Sequence, residues 1–472
     1  MNFNAQNVMI IVISTMVVLL IGVGISFYVG RKSSKGDWAR AASGLPIYVI
    51  IGTQFATAQG GGFLTAHVGN GYSGGWSAVT YGICVALGLW ILCAIANWIR
   101  EQEFGTIPDI MTKLYGENKV LIIITSILTM VVPFGWIIGN LVAFGKLYTE
   151  ITQIPAWILV IVFSVLALCM VLPGGLKSVA YTDFFFGLAM LVMCFVTLGM
   201  LFSFGNGFTA LMGKVPEKIK QFPNSMLLFG RGTVLLWIMS IIPGTLTNQM
   251  YYQRIFAVKN IKQTKLSLII SGVVIIISEI WASYMGMGIH GLNPNLEPEM
   301  AAGWFLTQIP VWFLAIYSGL IAAAIMSTVD SGIQSVSINA VYDIYKKVIN
   351  NDATEKELET KVKIVSVIVC ALAALLAILY PKVLSIIVAS YAFSASGLLV
   401  PVFVGTLLKD KYTFTAKSII ISMIAGFIVC FIAAVMKTHI PYAIYGLLGS
   451  SFGLLIASLF NKNKTSNKIH EI

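Results

Sequence analysis

Within GLIAAAIMSTVDSGIQSVS, Ala324, Ser327, Thr328 and Ser331 stand at i, i+3, i+4 and i+7, which gathers their carbonyls and hydroxyls on one helical face. Neutral oxygens suit a monovalent hard cation that must be released each cycle, whereas a wall of carboxylates would hold it too tightly. The bland alternative, hydroxyls bonding back to their own helix or packing closely on a neighbour, weighs equally on these residues alone. Three carboxylates shift the balance: Asp183, Glu279 and Asp330 sit inside apolar stretches, where each charge costs about 2.5–3.5 kcal/mol. Asp330 has Ser327 three residues before it and Ser331 immediately after it, so a cation could stand beside all three, and Asp183 could reach the same place or simply mark a helix entry. Glu279 reads as a proton-titrating group or as a carboxyl buried without charge. Nothing here spells catalysis. His67, His290, His439 and His470 are scattered, HExxH and Walker patterns are absent, GxSxG occurs at 71–75 and 449–453 without the preceding strand a nucleophile elbow needs, and the glycines at 60–62 follow no strand and precede no GK[ST].

The elements that position these groups are membrane helices. Of 472 residues 58% are apolar and 10% charged, and mean hydropathy is +0.88, which excludes an ordinary soluble domain. Stretches of roughly 20 apolar residues, enough to cross the hydrocarbon core, recur along the whole chain. Thirteen are expected, at 8–30, 46–68, 76–98, 120–147, 155–172, 179–204, 234–252, 266–289, 311–341, 364–379, 383–408, 418–436 and 440–460. Continuous apolar runs, without the ten-residue alternation of barrel strands, make the fold class all-α and polytopic. The net charge of +11 does not signal nucleic acid. With the N-terminus outside and the C-terminus cytoplasmic, only Lys146, Lys214, Lys218, Lys220, Arg231, Lys382 and Lys437 of the 30 basic residues fall outside, as the positive-inside rule requires. Arg254 counts among the inner ones. All six cysteines lie in apolar spans without CxxC spacing, so neither disulfides nor zinc are expected. The first segment lacks a basic flank and a small-residue cleavage site, and is expected to be a retained helix. The loops are too short for a second domain; the charged inner segment 346–363 reads as a solvated helix or linker.

Two spans carry breaks. Gly60, Gly61 and Gly62 interrupt the second near mid-membrane, and Pro243-Gly244 interrupts the seventh. They open two successive groups of five spans, and paired interruptions in two halves point to a midplane site built from unwound backbone. A channel would want repeated carbonyl or charged rings, and none is visible.

AIMSTVDS (324–331), GGLKSVAYTD (174–183), YYQRIFA (251–257) and the glycine-rich second span resemble the sodium/solute symporter family over nearly the whole chain. The resemblance implies a LeuT-like inverted repeat: one extra helix (8–30), a core of 5+5 helices (46–408) with its first and sixth helices broken, two further helices (418–460) and a cytoplasmic tail (461–472), all one transmembrane domain. It implies a sodium ion held by the carbonyls of Ala56, Gln59 and Ala324 and the hydroxyls of Ser327 and Thr328. A second cation, bound in some members, would fall to Asp183, Ser327, Asp330 and Ser331, and Asp330 stands where those members carry serine. ATAQGGGF and TDFFFG look closest to the choline-transporter branch, yet Ala58 and the region of Thr245 replace its tryptophans. Phe63, Trp136, Asn140, Trp237 and Ser240 are the candidate solute contacts. Half-helix N-termini favour an anionic group, so an amino acid or carboxylate leads over a quaternary amine. The expected protein is a non-enzymatic symporter in the cell membrane with Na+ as coupling ion, no organic cofactor and no obligate protein partner. A proton-coupled carrier with Glu279 and Asp330 as titrating groups, and a solute sensor or channel, are the alternatives.

Overall fold

The computed structural model describes residues 5–32, 44–102 and 104–469, with the side chains of residues 30, 32, 61–64, 174–178 and 460–469 outside the description. In order the helices are α1 (Ala5–Lys32), α2 (Ile47–Gly62), a π-helical stretch (Phe63–His67), α3 (Val68–Gly74), α4 (Ser77–Glu101), α5 (Ile107–Tyr115), α6 (Lys119–Thr152) and α7 (Ala156–Phe204). There follow α8 (Phe208–Gly213), α9 (Glu217–Lys220), α10 (Arg231–Thr245), α11 (Gln249–Ala257), α12 (Ile261–Leu292), α13 (Ala301–Leu306), α14 (Val311–Ile338) and a second π-helical stretch (Asn339–Ile349). The chain ends in α15 (Glu355–Leu379), α16 (Val383–Leu398) with its π-helical continuation (Leu399–Val404), α17 (Gly405–Leu408), α18 (Ala416–Val435) and α19 (Tyr442–Ile469). The fold is all-helical: among the described residues the strand content is one isolated bridge, Leu45 to Val258.

Among the described residues, eleven segments are long and apolar enough to cross a membrane, and they coincide with the expected spans other than the second and the seventh. Those two are the interrupted ones. The fifth and sixth spans form one hydrogen-bonded helix, α7, of 49 residues. At 1.5 Å per residue that is more than twice the ~30 Å hydrocarbon core; α7 carries Pro173 within it and two apolar stretches long enough to cross, Ala156–Pro173 and Val179–Phe204. The segment 346–363 is no free linker. It splits between the second π-helical stretch and the first turns of α15, which Thr354 caps by accepting from the N–H of Glu357.

Helix α14 lies at the centre, packed on α1, α2, α6 and α7, and is buried along almost its whole length. α12 packs on α4 and α3, and α18 and α19 pack on each other and on α16. α2 breaks where expected: Gly60 adopts φ 38°, ψ −151°. A Cβ there would lie 2.5 Å from Asn140 Oδ1 and 2.6 Å from Thr328 Oγ1, so glycine is required by conformation and by space. The second break falls just beyond Pro243-Gly244. α10 stops at Thr245, and α11 starts after Asn248, whose side chain accepts from the N–H of Met250. A Cβ on Gly244 would meet the Tyr391 ring at 2.2 Å, so this glycine lets the break press against α16.

At one end of α14 a cavity of about 850 Å³ opens between α5, the start of α6 and the second π-helical stretch. Lys347 Nζ sits 2.5 Å from Asp109 Oδ1 and 2.6 Å from Asp343 Oδ1, tying that stretch to α5. Thr106 and Asp109 cap α5 reciprocally, and the Thr106 hydroxyl donates to Asp343. Burial pushes the Asp109 carboxyl up, but the Lys347 ammonium and the N–H groups of Gly105 and Thr106 outweigh it and hold it below the usual carboxylate range. Its contribution is therefore complete above the unfolded value, about pH 4, and is lost as pH falls through the lower folded value. Asp109→Asn is expected to lose about 1 kcal/mol at pH 7 in thermal unfolding, with the gap to wild type narrowing below about pH 4; equal stability at pH 7 would sink the assignment.

Candidate functional site

The break at Gly60 meets α14. The Thr328 hydroxyl donates to the Ala56 carbonyl at 3.1 Å, and the Ser327 hydroxyl donates to the Ala324 carbonyl at 2.9 Å. Four of the five expected sodium ligands thus stand as two hydroxyl–carbonyl pairs, Thr328 to Ala56 across the helix contact and Ser327 to Ala324 within α14. Gln59, the fifth, turns its side chain away: Nε2 donates to Ser278 Oγ at 2.9 Å on α12, and Oε1 is buried without a partner.

Asp183 and Ser331 are brought together as well, around a residue expected at the inner surface. Arg254 on α11 is 1% exposed. Its guanidinium donates to Ser331 Oγ at 2.7 Å, Thr57 Oγ1 at 2.8 Å, Thr53 Oγ1 at 3.2 Å and Asp183 Oδ2 at 3.3 Å. Asp183 Oδ2 also accepts from Thr53 Oγ1 at 2.5 Å. A buried carboxylate with several donors and a guanidinium is the arrangement that makes a desolvated charge tolerable. Asp183 Oδ1 and Asp330 Oδ1 are buried without a hydrogen-bond partner. A basic residue ending an apolar run reads as a loop cation under the positive-inside rule; the available signal was that Asp183 needed a buried partner.

Glu279 has a partner that sequence reasoning missed. Its Oε1 is hydrogen-bonded to His67 Nδ1, with the imidazole edge-on to Tyr81 at 4.4 Å. The pair fastens the first π-helical stretch to α12, and Glu279 Oε2 stays unpartnered.

The solute candidates separate. Trp136 lies edge-on to Tyr391 with ring centres 5.9 Å apart, and its indole N–H is buried without a partner. Asn140 donates to the Trp136 carbonyl at 2.8 Å and directs Oδ1 at Gly60. Ser240 is a buried hydroxyl without a partner on α10. Trp237 packs on Phe229 instead, at 5.7 Å. Phe63 lies outside the described side chains. The hydroxyls of Thr245, Tyr251 and Tyr391, none anticipated, approach one another at the second break without closing a hydrogen bond. Aromatic walls with a few unsatisfied donors and acceptors are what a small polar solute requires.

Two substitutions probe this frame. Gly60→Ala, forced into φ 38° against Asn140 and Thr328, is expected to cost about 1–3 kcal/mol in thermal unfolding; a neutral effect would refute the assigned conformation. Arg254→Met strands the Asp183 charge and is expected to cost about 3–5 kcal/mol, most of it recovered in Asp183→Leu/Arg254→Met; additive losses would exclude the pairing.

The family model for the sodium:solute symporter family matches residues 41–441. The chain is 24% identical over 414 residues to a high-affinity choline transporter of Drosophila melanogaster, covering 80% of this chain and 63% of that protein. It is 26% identical over 313 residues to the high-affinity proline transporter of Bacillus subtilis, covering 61% of this chain and 63% of that one. Against the sodium/sialic acid symporter of Aliivibrio fischeri it is 21% identical over 489 residues, covering 96% and 93%. The chain thus spans slightly less than two thirds of the choline and proline transporters' length. Among solved structures, a substrate-bound, outward-open Na+-coupled sialic acid symporter superposes with TM-score 0.79 at 17% identity, covering 95% of this chain and 98% of that one. Mhp1, a nucleobase-cation-symport-1 family transporter, gives 0.60 at 13% identity, covering 90% and 94%. With 401 of its residues inside the matched region, this chain belongs to the sodium:solute symporter family.

Proposed function

We propose that the protein is a secondary active transporter that carries a small organic solute into the cell together with Na+. The observation that carries this reading is the contact across the first break, where Thr328 holds the carbonyl of Ala56, with the Ser327–Ala324 pair beside it on α14. A sodium ion entering there would replace two hydroxyl–carbonyl bonds by five oxygen ligands, with Gln59 contributing its carbonyl. It would thereby join the unwound α2 to α14. Binding from one side organises the break and raises solute affinity; release on the other lets both leave, which is alternating access.

The solute position is the space bounded by Trp136, Asn140, Ser240, Thr245 and Tyr391, between the two breaks. An amino acid or carboxylate is the proposed class, since half-helix N-termini favour an anionic group. Ala58 and Thr245 supply no tryptophan, which disfavours a quaternary amine. The topology proposed is thirteen crossings with the N-terminus outside and the C-terminus cytoplasmic, the core at 46–408 flanked by 8–30 and 418–460. The protein works in the cell membrane, without an organic cofactor, a catalytic residue or an obligate protein partner.

A second reading, proton coupling, is favoured by one observation, the buried His67–Glu279 pair at the first break. Thermal unfolding of the purified protein separates the two across a panel of amino acids, carboxylates, quaternary amines, sugars and nucleosides in sodium and in potassium. The symport reading expects a solute that raises the melting temperature in sodium alone, because ligands of the native state stabilise it by mass action. Thr328→Ala should abolish the sodium dependence. Solute shifts indifferent to sodium but lost in Glu279→Gln would move the proton reading ahead.

A further inference from the structure

We infer that Arg254 is a latch that holds α11 closed against α7 and α14, and that the protein opens on this side by withdrawing the guanidinium from both. The inference rests on the transport reading above and concerns the step that opens one face, cytoplasmic in the proposed topology.

Arg254 follows the second break, and its guanidinium spans three other helices. It donates to Thr53 and Thr57 on α2, to Asp183 on α7 and to Ser331 on α14, at 2.7–3.3 Å. α11 has separate ties to the start of α2. The Ala257 carbonyl accepts from the N–H groups of Gly44 and Leu45 at 3.2 and 3.1 Å, and the Lys259 N–H donates to the Leu45 carbonyl at 3.2 Å. These backbone bonds survive whatever happens at α7 and α14. Among the described residues, the hydrogen bonds that carry α11 across to those two helices are the ones from Arg254 to Asp183 and Ser331. One side chain therefore decides whether α11 stays docked. A planar fork with five donors is suited to bridging oxygens on several elements at once.

Polar side chains that nothing satisfies flank the junction. Gln253 precedes Arg254 on α11, and Gln334 and Ser335 follow Ser331 on α14 by three and four residues. Both amide atoms of each glutamine and the Ser335 hydroxyl are buried without a partner, as is Nε2 of Gln249, one turn before Gln253. Such atoms are rare in a finished core and costly while dry. Here they lie on the two helices that the latch joins, so water admitted between α11 and α14 would satisfy them and favour the open form. Solvent has a short way to go. The cavity of about 850 Å³ reaches Ile338, three residues beyond Ser335, and Thr106, whose neighbour Ile107 donates its N–H to Gln249 Oε1 at 2.9 Å.

The test is the rate at which N-ethylmaleimide alkylates Gln334→Cys in the purified full-length protein, in potassium and without solute, after replacement of the six native cysteines. Ser422→Cys, buried where α18 meets α19, is the control for general loosening. Arg254→Gln is expected to speed labelling of Gln334→Cys about tenfold or more and to leave Ser422→Cys protected, because labelling follows the open population. Arg254→Lys keeps a cation beside Asp183 without the fork that spans four oxygens, and is expected to speed labelling nearly as much. An unchanged rate in Arg254→Gln, or an equal rise at both cysteines, refutes the latch. Full protection in Arg254→Lys would also overturn it, reducing Arg254 to a counter-ion of Asp183. Neither sodium nor solute enters the measurement, so a failed latch leaves the symport reading standing, and a failed symport reading leaves the labelling result intact.

Discussion

A helix that breaks inside a bilayer exposes carbonyls to a medium that cannot hydrogen-bond them, and every other feature of this fold answers that constraint. At Gly60 the answer is the hydroxyl face of α14, with Thr328 reaching Ala56 across the helix contact. Burial of α14 on nearly all sides follows from this role, since it must touch the broken α2 while α1, α6 and α7 enclose it. The second break is closed differently. The Tyr391 ring fills the space that Gly244 leaves, and Asn248 restarts the helix. One break is thus bridged by a hydroxyl from a neighbouring helix and the other by packing and a cap.

The unpaired atoms Trp136 Nε1, Ser240 Oγ, Thr245 Oγ1, Tyr251 Oη and Tyr391 Oη lie around the breaks. In a stability-optimised core each would cost about 1–3 kcal/mol. Under the proposed function, these are the groups a solute would satisfy on arrival. The large cavity, by contrast, lies beside α5 and the charged Lys347 bridge, away from the breaks.

Much of the architecture was legible in the residues. Apolar run lengths located the spans, and Gly60 to Gly62 and Pro243-Gly244 located the breaks to within a few residues. The spacing of Ala324, Ser327 and Thr328 named the face of α14 that meets the break. Pairings between distant segments were not legible. His67 and Glu279 are 212 positions apart, and Arg254 and Asp183 are 71 apart; no periodicity relates them. The positive-inside rule counts a basic residue by its place along the chain, so it assigned Arg254 to the surface although its side chain folds back into the interior. The two apolar stretches of α7 were legible from the span lengths, and its continuation as one helix through Pro173 was not.

The buried arginine also bears on how the chain enters the membrane. An arginine at the centre of a segment adds about 2.5–3.5 kcal/mol to the free energy of lateral insertion. The nine residues of α11 include two glutamines, two tyrosines and Arg254 and are too short and too polar to enter alone. Synthesis proceeds from the N-terminus, so Asp183, Thr53 and Thr57 are already in place when Arg254 emerges. Only Ser331 of its oxygen partners is made later. The seventh span is therefore built to insert onto earlier helices and not into bare lipid, and biogenesis of the second half of the protein depends on correct assembly of the first.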